Sequence, residues 1–168
     1  MKLRSLILAL TTSVITLSSA FIPSNFVSAG TTKFVCGTWE GVPSTIAKTA
    51  KGDVPLIRWV SDHFNSAGFD SQKRCQIVSE KFQQYYNDGS LKYLTTGRKN
   101  GNNIVCVAPS ENAPCKGQLF TLKPGSNPGE TLKQLMAIRS QASGAKPINE
   151  SSDRVYISID SYLEEAID

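Results

Sequence analysis

The chain has one histidine, His63, no C-x-x-C pair, and no long apolar run after residue 22. The first two absences exclude a zinc site built on close cysteine pairs and histidines, which is the usual structural arrangement. Ser61, Asp62 and His63 are neighbours in sequence, but a catalytic triad needs three groups that converge in space, and adjacency does not supply that. No glycine-rich phosphate loop opens a helix. No dense Lys/Arg run with interleaved aromatics is present, so nucleic acid is not an expected partner. There is no internal repeat and no low-complexity tract. The expectation is a non-enzymatic chain with no cofactor, no metal and no membrane span beyond its first residues.

Those first residues are distinctive. Lys2 and Arg4 give a basic start, Leu6 to Ile22 an apolar stretch, and Val27 and Ala29 the small-residue pattern that signal peptidases accept. Basic, apolar, small is the order of a secretory leader. Residues 1–29 therefore read as a signal peptide cut after Ala29, with a cut after Ala20 as the alternative. The stretch is short and rich in hydroxyls for a span, which needs about 20 apolar residues. Residues 30–168 read as a single domain.

Removing Lys2 and Arg4 leaves 16 of the 18 basic residues against 14 acidic ones. The acids concentrate at the end. Segment 150–168 contains Glu150, Asp153, Asp160, Glu164, Glu165 and Asp168 against one base, Arg154. A basic body with an acidic tail has two faces of opposite sign, though solvated surface charge has the same composition.

All four cysteines, Cys36, Cys75, Cys106 and Cys115, follow the leader. An even number in an exported chain points to disulfides. Of three pairings, one fits the local structure best. Cys106 and Cys115 end the segment "CVAPSENAPC", whose Pro109, Asn112 and Pro114 mark a loop that a bridge closes easily. That leaves Cys36, in the strand-like "TKFVCGTW", with Cys75. Cys75, Val78, Phe82 and Tyr85 or Tyr86 recur at spacings of three and four, the inward face of a helix over 71–87. Asp70 or Ser71 caps its start and "NDG" at 87–89 ends it. On a chain-entropy model the long loop would contribute roughly 4 kcal/mol and the short one roughly 3.

Strands are expected at 31–39, 45–50 and 56–60, with turns at "EGVPS" and "KGDVP". After the helix, 91–97 and 104–107 form a hairpin whose Asn100-Gly101 suits a turn with positive φ. A strand at 117–125 and a helix from Pro128, with Leu132, Leu135, Met136 and Ile138 on its apolar face, follow. Residues 143–153 read as a loop. Asn149 there begins a glycosylation sequon, a motif short enough to recur by chance. "RVYISID" and "SYLEEAID" close the chain as a strand and a short acidic helix. The fold class is α+β: a mostly antiparallel sheet with two or three helices packed on it, stapled by two disulfides.

Candidate functional residues are few. Arg98 and Lys99 make the hairpin tip "GRKNGNN" basic, suited to an acidic partner or a lipid headgroup, although solubilising turn chemistry is the default reading. Trp59, Tyr85 and Tyr86 could line a ligand groove, although aromatics at these spacings are more often core. An enzyme is a third reading, built on residues such as Asp62, His63, Arg74 and Tyr86, which the sequence does not assemble into a site.

"FVCGTWEGVPSTIA", "PLIRWVSDHFNSAGFDSQKRCQIVSEKFQQYYNDGSLKYLTTGRKNGNNIVCVA" and "LFTLKPGSNPGETLKQL" together resemble the cyanobacterial circadian-oscillating-protein domain, from about Phe34 to Ser152. The most specific part is Arg74-Cys75 in a helix, followed by Phe82 and the Val105-Cys106 strand; the four cysteines match the family pattern. The resemblance implies a cyanobacterial protein that is exported or membrane-associated and whose abundance can follow a daily rhythm. It implies no enzymatic activity and carries over no catalytic residue.

The reading is thus an exported, non-catalytic, disulfide-stabilised binding or scaffold domain in the periplasm, thylakoid lumen or outside the cell, meeting an envelope or protein partner and peripheral to a membrane if associated with one. The alternative is an inhibitor of an exported hydrolase that inserts the bridged loop 106–115, since a preorganised loop loses less entropy on binding. N-terminal sequencing of the exported protein should begin near Gly30. A chain that retains Met1 and leaves membranes only in detergent would refute the leader assignment.

Overall fold

The computed structural model describes residues 32–136 and 154–165. The leader, Ile138, the 143–153 loop and the Asn149 sequon lie outside the described residues. Strands β1 (Lys33–Trp39), β2 (Val42–Thr49) and β3 (Gly52–Arg58) form an antiparallel meander. Glu40 and Gly41 turn β1 into β2 with positive φ at both positions, 49° and 77°, the backbone that matches the twist of a tight hairpin. Pro43 and Pro55 suggested broad turns, yet both lie inside strands. Pro55 is tolerated because β3 is an edge strand of the sheet. Pro43 sits one residue into β2, and its carbonyl accepts from the Trp59 N–H at 2.9 Å.

The second sheet contains β4 (Tyr93–Lys99), β5 (Asn102–Ala108), β6 (Gly117–Thr121) and β7 (Tyr156–Ser158) in the order β6-β5-β4-β7, again antiparallel throughout. The antiparallel pairing expected from short connections holds within each sheet. The strands divide into two sheets where helix α1 (Ser71–Asn87) interrupts the run of hairpins. Asn100 and Gly101, at φ 50° and 78°, make the β4–β5 turn.

Helix α1 begins at Asp70, whose carboxylate accepts from the Lys73 N–H at 2.8 Å, filling one of the donors that a helix start leaves open. Its buried residues are Cys75, Val78, Ser79 and Phe82. Helix α2 (Pro128–Met136) starts on proline, whose missing N–H costs nothing there. Asn127 Oδ1 accepts from the Glu130 N–H. Helix α3 (Ile159–Glu165) buries Ile159 and Leu163, and Asp160 pairs with Lys92 at 3.5 Å.

Helix α1 lies against β1, β2 and β6; α2 lies against β3, β4 and β5. Each long helix thus touches both sheets, and one apolar cluster runs through them. Phe82 is fully buried and stacks on Phe34 with ring centroids 5.5 Å apart. Burying a side chain of that size contributes about 1.5–3 kcal/mol. Four consecutive residues of β2, Ser44 to Ala47, are buried, so this strand is covered on both faces and lacks the alternation of a half-exposed one.

Cys36 is bonded to Cys75, and Cys106 to Cys115, with Cα atoms 5.4 and 5.6 Å apart. The second bridge needs Gly97 in β4: a Cβ there would lie 2.6 Å from Cys115 Sγ. The first bridge matches a pair of registers. Cys36 is the cross-strand partner of Thr45, so both side chains share one sheet face. Cys75 and Ser79 are four apart on α1 and share one helix face. Cys36 bonds Cys75, and the Ser79 hydroxyl donates to Thr45 Oγ1 at 3.0 Å.

At the far end of α1 the Asp88 carboxylate accepts from the Ser90 hydroxyl and from the Ser90 N–H. The hydroxyl bond, then the backbone bond, hold its pKa below the usual carboxylate range. A depressed folded-state pKa gives stability that is present above the unfolded value and is lost as pH falls through the folded one. Asp88→Asn should therefore flatten part of the acid limb of the urea midpoint measured against pH, and leave the neutral region without that dependence. An unchanged acid limb would exclude this contact as a contributor.

Cys36→Ser and Cys75→Ser should each lower stability by roughly 2–5 kcal/mol, the usual range for loss of a native bridge in a small domain. The double variant should lose little more than either single one, because the two residues make one interaction. Urea unfolding of the three proteins checks this; simple addition of the two losses would refute it.

Candidate functional site

Trp59 follows β3 and is almost fully buried. Its indole N–H donates to Thr45 Oγ1 at 3.1 Å, the same oxygen that accepts from Ser79. A buried indole N–H needs such a partner. The ring meets Phe120 of β6 edge-on, with centroids 5.2 Å apart and planes at 76°. Arg74, one residue before Cys75, lays its guanidinium 5.2 Å from the Trp59 ring and 5.6 Å from the Phe64 ring. It also donates to the Ser61 carbonyl, and to Ser71 Oγ at 3.4 Å. Arg74 thereby holds the linker between β3 and α1 against the helix. Burial lowers its pKa, and Asp70 partly opposes that effect.

Beside this cluster runs a groove of about 440 Å³, a volume in the range of small-molecule sites. Its apolar lining comes from Trp59, Phe64, Phe69, Val78, Leu119 and Phe120. Phe69 is 43% exposed, an uncommon state for a large aromatic. Arg74 and Lys81 of α1 bring positive charge, His63 lies at the linker, and Asn102 and Gln118 add neutral polar groups. Among the described residues no aspartate or glutamate lines it. Lys81 Nζ donates to the Leu119 carbonyl at 3.0 Å. Burial, and secondarily the like charge of Lys99, lower the Lys81 pKa. A second hollow of about 570 Å³ lies on the outer side of α1 between Phe34 and the polar side chains of Glu80, Gln83, Gln84, Asn87 and Asp88.

The residues singled out from sequence scatter. His63, Trp59 and Arg74 line the groove. Asp62 is exposed in the linker. Tyr86 lies against Phe34 at 5.4 Å and Tyr85 against Gly117, away from the groove lining. Arg98 and Lys99 are exposed at the hairpin tip, where Arg98 reaches the Gly101 carbonyl. Lys99 is near enough to Lys81 to act on its charge, and Asn102 carries the same hairpin to the groove. Phe64, Phe69, Lys81 and Phe120 were missed. Two aromatics inside the polar linker "SDHFNSAGFDS" were the available signal, and Arg74, Val78 and Lys81 at i, i+4 and i+7 already share a helix face.

Among the described residues no group of histidine, cysteine, aspartate or glutamate side chains could hold a metal ion, and no helix is long and apolar enough to cross a membrane. The family model for circadian oscillating protein COP23 matches residues 33–164. Comparison with curated proteins and with solved structures gives no match.

Thr45→Val would leave the Trp59 indole N–H and the Ser79 hydroxyl buried without an acceptor. Stability should fall by about 1–3 kcal/mol, the usual cost of an unsatisfied buried donor, and Thr45→Ser should recover most of it. Urea unfolding of both variants is the measurement. A valine variant within about 0.5 kcal/mol of the parent, the scale of an ordinary surface change, would remove this bond network from the account.

Proposed function

The chain belongs to the circadian oscillating protein COP23 family, and on that premise we propose that it is an exported, non-catalytic binding domain whose ligand surface is the groove between α1, the 59–69 linker and β6. The observation that carries the reading is the groove itself: a concave, mostly apolar surface with four aromatic rings and a few polar groups, on a scaffold that two disulfides hold rigid. Rigid scaffolds lose less entropy on binding. The two disulfides, with no free cysteine left over, support an oxidising compartment outside the cytoplasm. The leader supports the same location, and a lipid surface or an envelope protein would then be met peripherally. The family name describes a rhythm of abundance, which is compatible with a ligand carrier or scaffold and requires no chemistry of the chain.

The inhibitor reading has a specific feature in its favour. Loop 106–115 is anchored by its bridge and by the Tyr156 hydroxyl, which donates to the Ala113 carbonyl at 2.8 Å. Its tip, however, closes as a turn, with the Ala113 N–H on the Ser110 carbonyl and Asn112 at φ 65°. An extended segment is what a cleft grips through main-chain pairing. The groove is therefore the preferred surface.

Trp59 can report the test. The chain has two tryptophans, so Trp39→Phe leaves Trp59 alone beside the groove. A panel of small apolar and aromatic compounds should include members that shift or quench its emission saturably, and Phe120→Ala should weaken those members about tenfold, the scale of 1.4 kcal/mol. A panel without effect, or an unchanged affinity in Phe120→Ala, would overturn the reading.

A further inference from the structure

We infer that the groove selects a small organic anion: a flat, apolar body lying against Trp59, Phe64 and Phe120, with a carboxylate or sulfonate-type head at Lys81. This rests on the groove being a binding site and adds the sign and shape of what enters it.

Charge complementarity is the first argument. The groove brings Arg74 and Lys81 to one face of α1, and among the described residues no carboxylate lines it. The nearby acid Asp70 accepts from the Lys73 N–H at the helix start and acts on Arg74 through space, without an ion-pair contact. Four ion pairs occur among the described residues, and none of them uses Arg74 or Lys81. Both cations instead meet neutral oxygens: Arg74 the Ser61 carbonyl and Ser71 hydroxyl, Lys81 the Leu119 carbonyl. An ammonium has three donors, and one of them is placed on Leu119. Lys99 on the β4–β5 hairpin adds a second positive charge near Lys81. A partly buried cation with a like charge beside it is a costly arrangement unless an anion joins it.

Shape is the second argument. The aromatic rings of Trp59 and Phe120 are locked at 76° to one another, and Arg74 stacks over Trp59 and Phe64. Rings held in this way suit a planar body, which gains offset or edge contacts that a flexible aliphatic chain does not. Arg74 and Lys81 are seven residues apart, about 10 Å along the helix at 1.5 Å per residue. A ligand of modest length would therefore have its head at Lys81 and its body along Val78 towards the guanidinium. The volume of about 440 Å³ accommodates a small molecule.

The test uses the full mature chain with its disulfides intact at physiological salt, and two fluorescent probes of nearly the same shape. One is the anion 8-anilinonaphthalene-1-sulfonate; the other is neutral N-phenyl-1-naphthylamine. The anion should bind one site per chain and at least tenfold more tightly than the neutral probe. Lys81→Gln should abolish that preference by bringing the sulfonate down to the affinity of the neutral probe; Lys81→Arg should retain it. Phe120→Ala should weaken both probes. Equal affinities in the parent, or a sulfonate affinity that survives Lys81→Gln, would overturn anion selection while the groove stays a binding site. Both affinities surviving Phe120→Ala, or neither probe binding, would overturn the groove itself. Binding to anionic phospholipid vesicles that is lost in Lys81→Gln, with no binding of the free sulfonate, would replace the small anion with a membrane surface and overturn the proposal.

Discussion

The seating of α1 on the first sheet is the constraint on which the other features depend. Two contacts set it, one covalent and one polar. Cys75 is bonded to Cys36 of β1, and one turn later Ser79 donates to Thr45 of β2. The cross-strand pair and the i, i+4 pair coincide, so the helix has one rotation about its axis and one position along it. Slipping β1 by one residue against β2 would turn every side chain of β1 to the other face, and α1 could then no longer meet Cys36 and Thr45 at the same time.

That single seating also decides where the groove lies. Arg74 precedes Cys75, so the bridge directs its guanidinium over Trp59 and onto the Ser61 carbonyl. The linker is folded back by this contact, and Phe64 and Phe69 come to the groove with it. Two turns further along the same helix face Lys81 reaches the Leu119 carbonyl of β6, which joins the helix to the second sheet. The groove is therefore what remains between a helix tied to one sheet and a strand belonging to the other.

Thr45 is central to this geometry for its oxygen. It accepts from both Trp59 and Ser79 inside the core, and buried donors without acceptors are expensive. A polar knot of this kind orients the indole more strictly than apolar packing does. The same strictness holds the Trp59–Phe120 angle. Among the described residues the cations at the groove have no carboxylate partner in its lining.

Sequence by itself determined the local and the covalent. The 3.6-residue spacing of Cys75, Val78 and Phe82 placed α1, Asp70 began it, and Asn100-Gly101 placed the hairpin turn, because each rests on contacts between residues close in the chain. The α+β class and both disulfides were also legible, the bridges because four cysteines with one loop-closing pair leave little choice. Prolines misled at 43 and 55, since sequence does not tell an edge strand or a strand start from a turn. The division into two sheets and the groove needed the tertiary structure. Phe120, Lys81 and Phe64 lie on a strand, a helix and a linker, and nothing in the order of residues states that these meet. Only the docking of α1 against both sheets brings them together, because that contact is made across the fold and leaves no period in the chain.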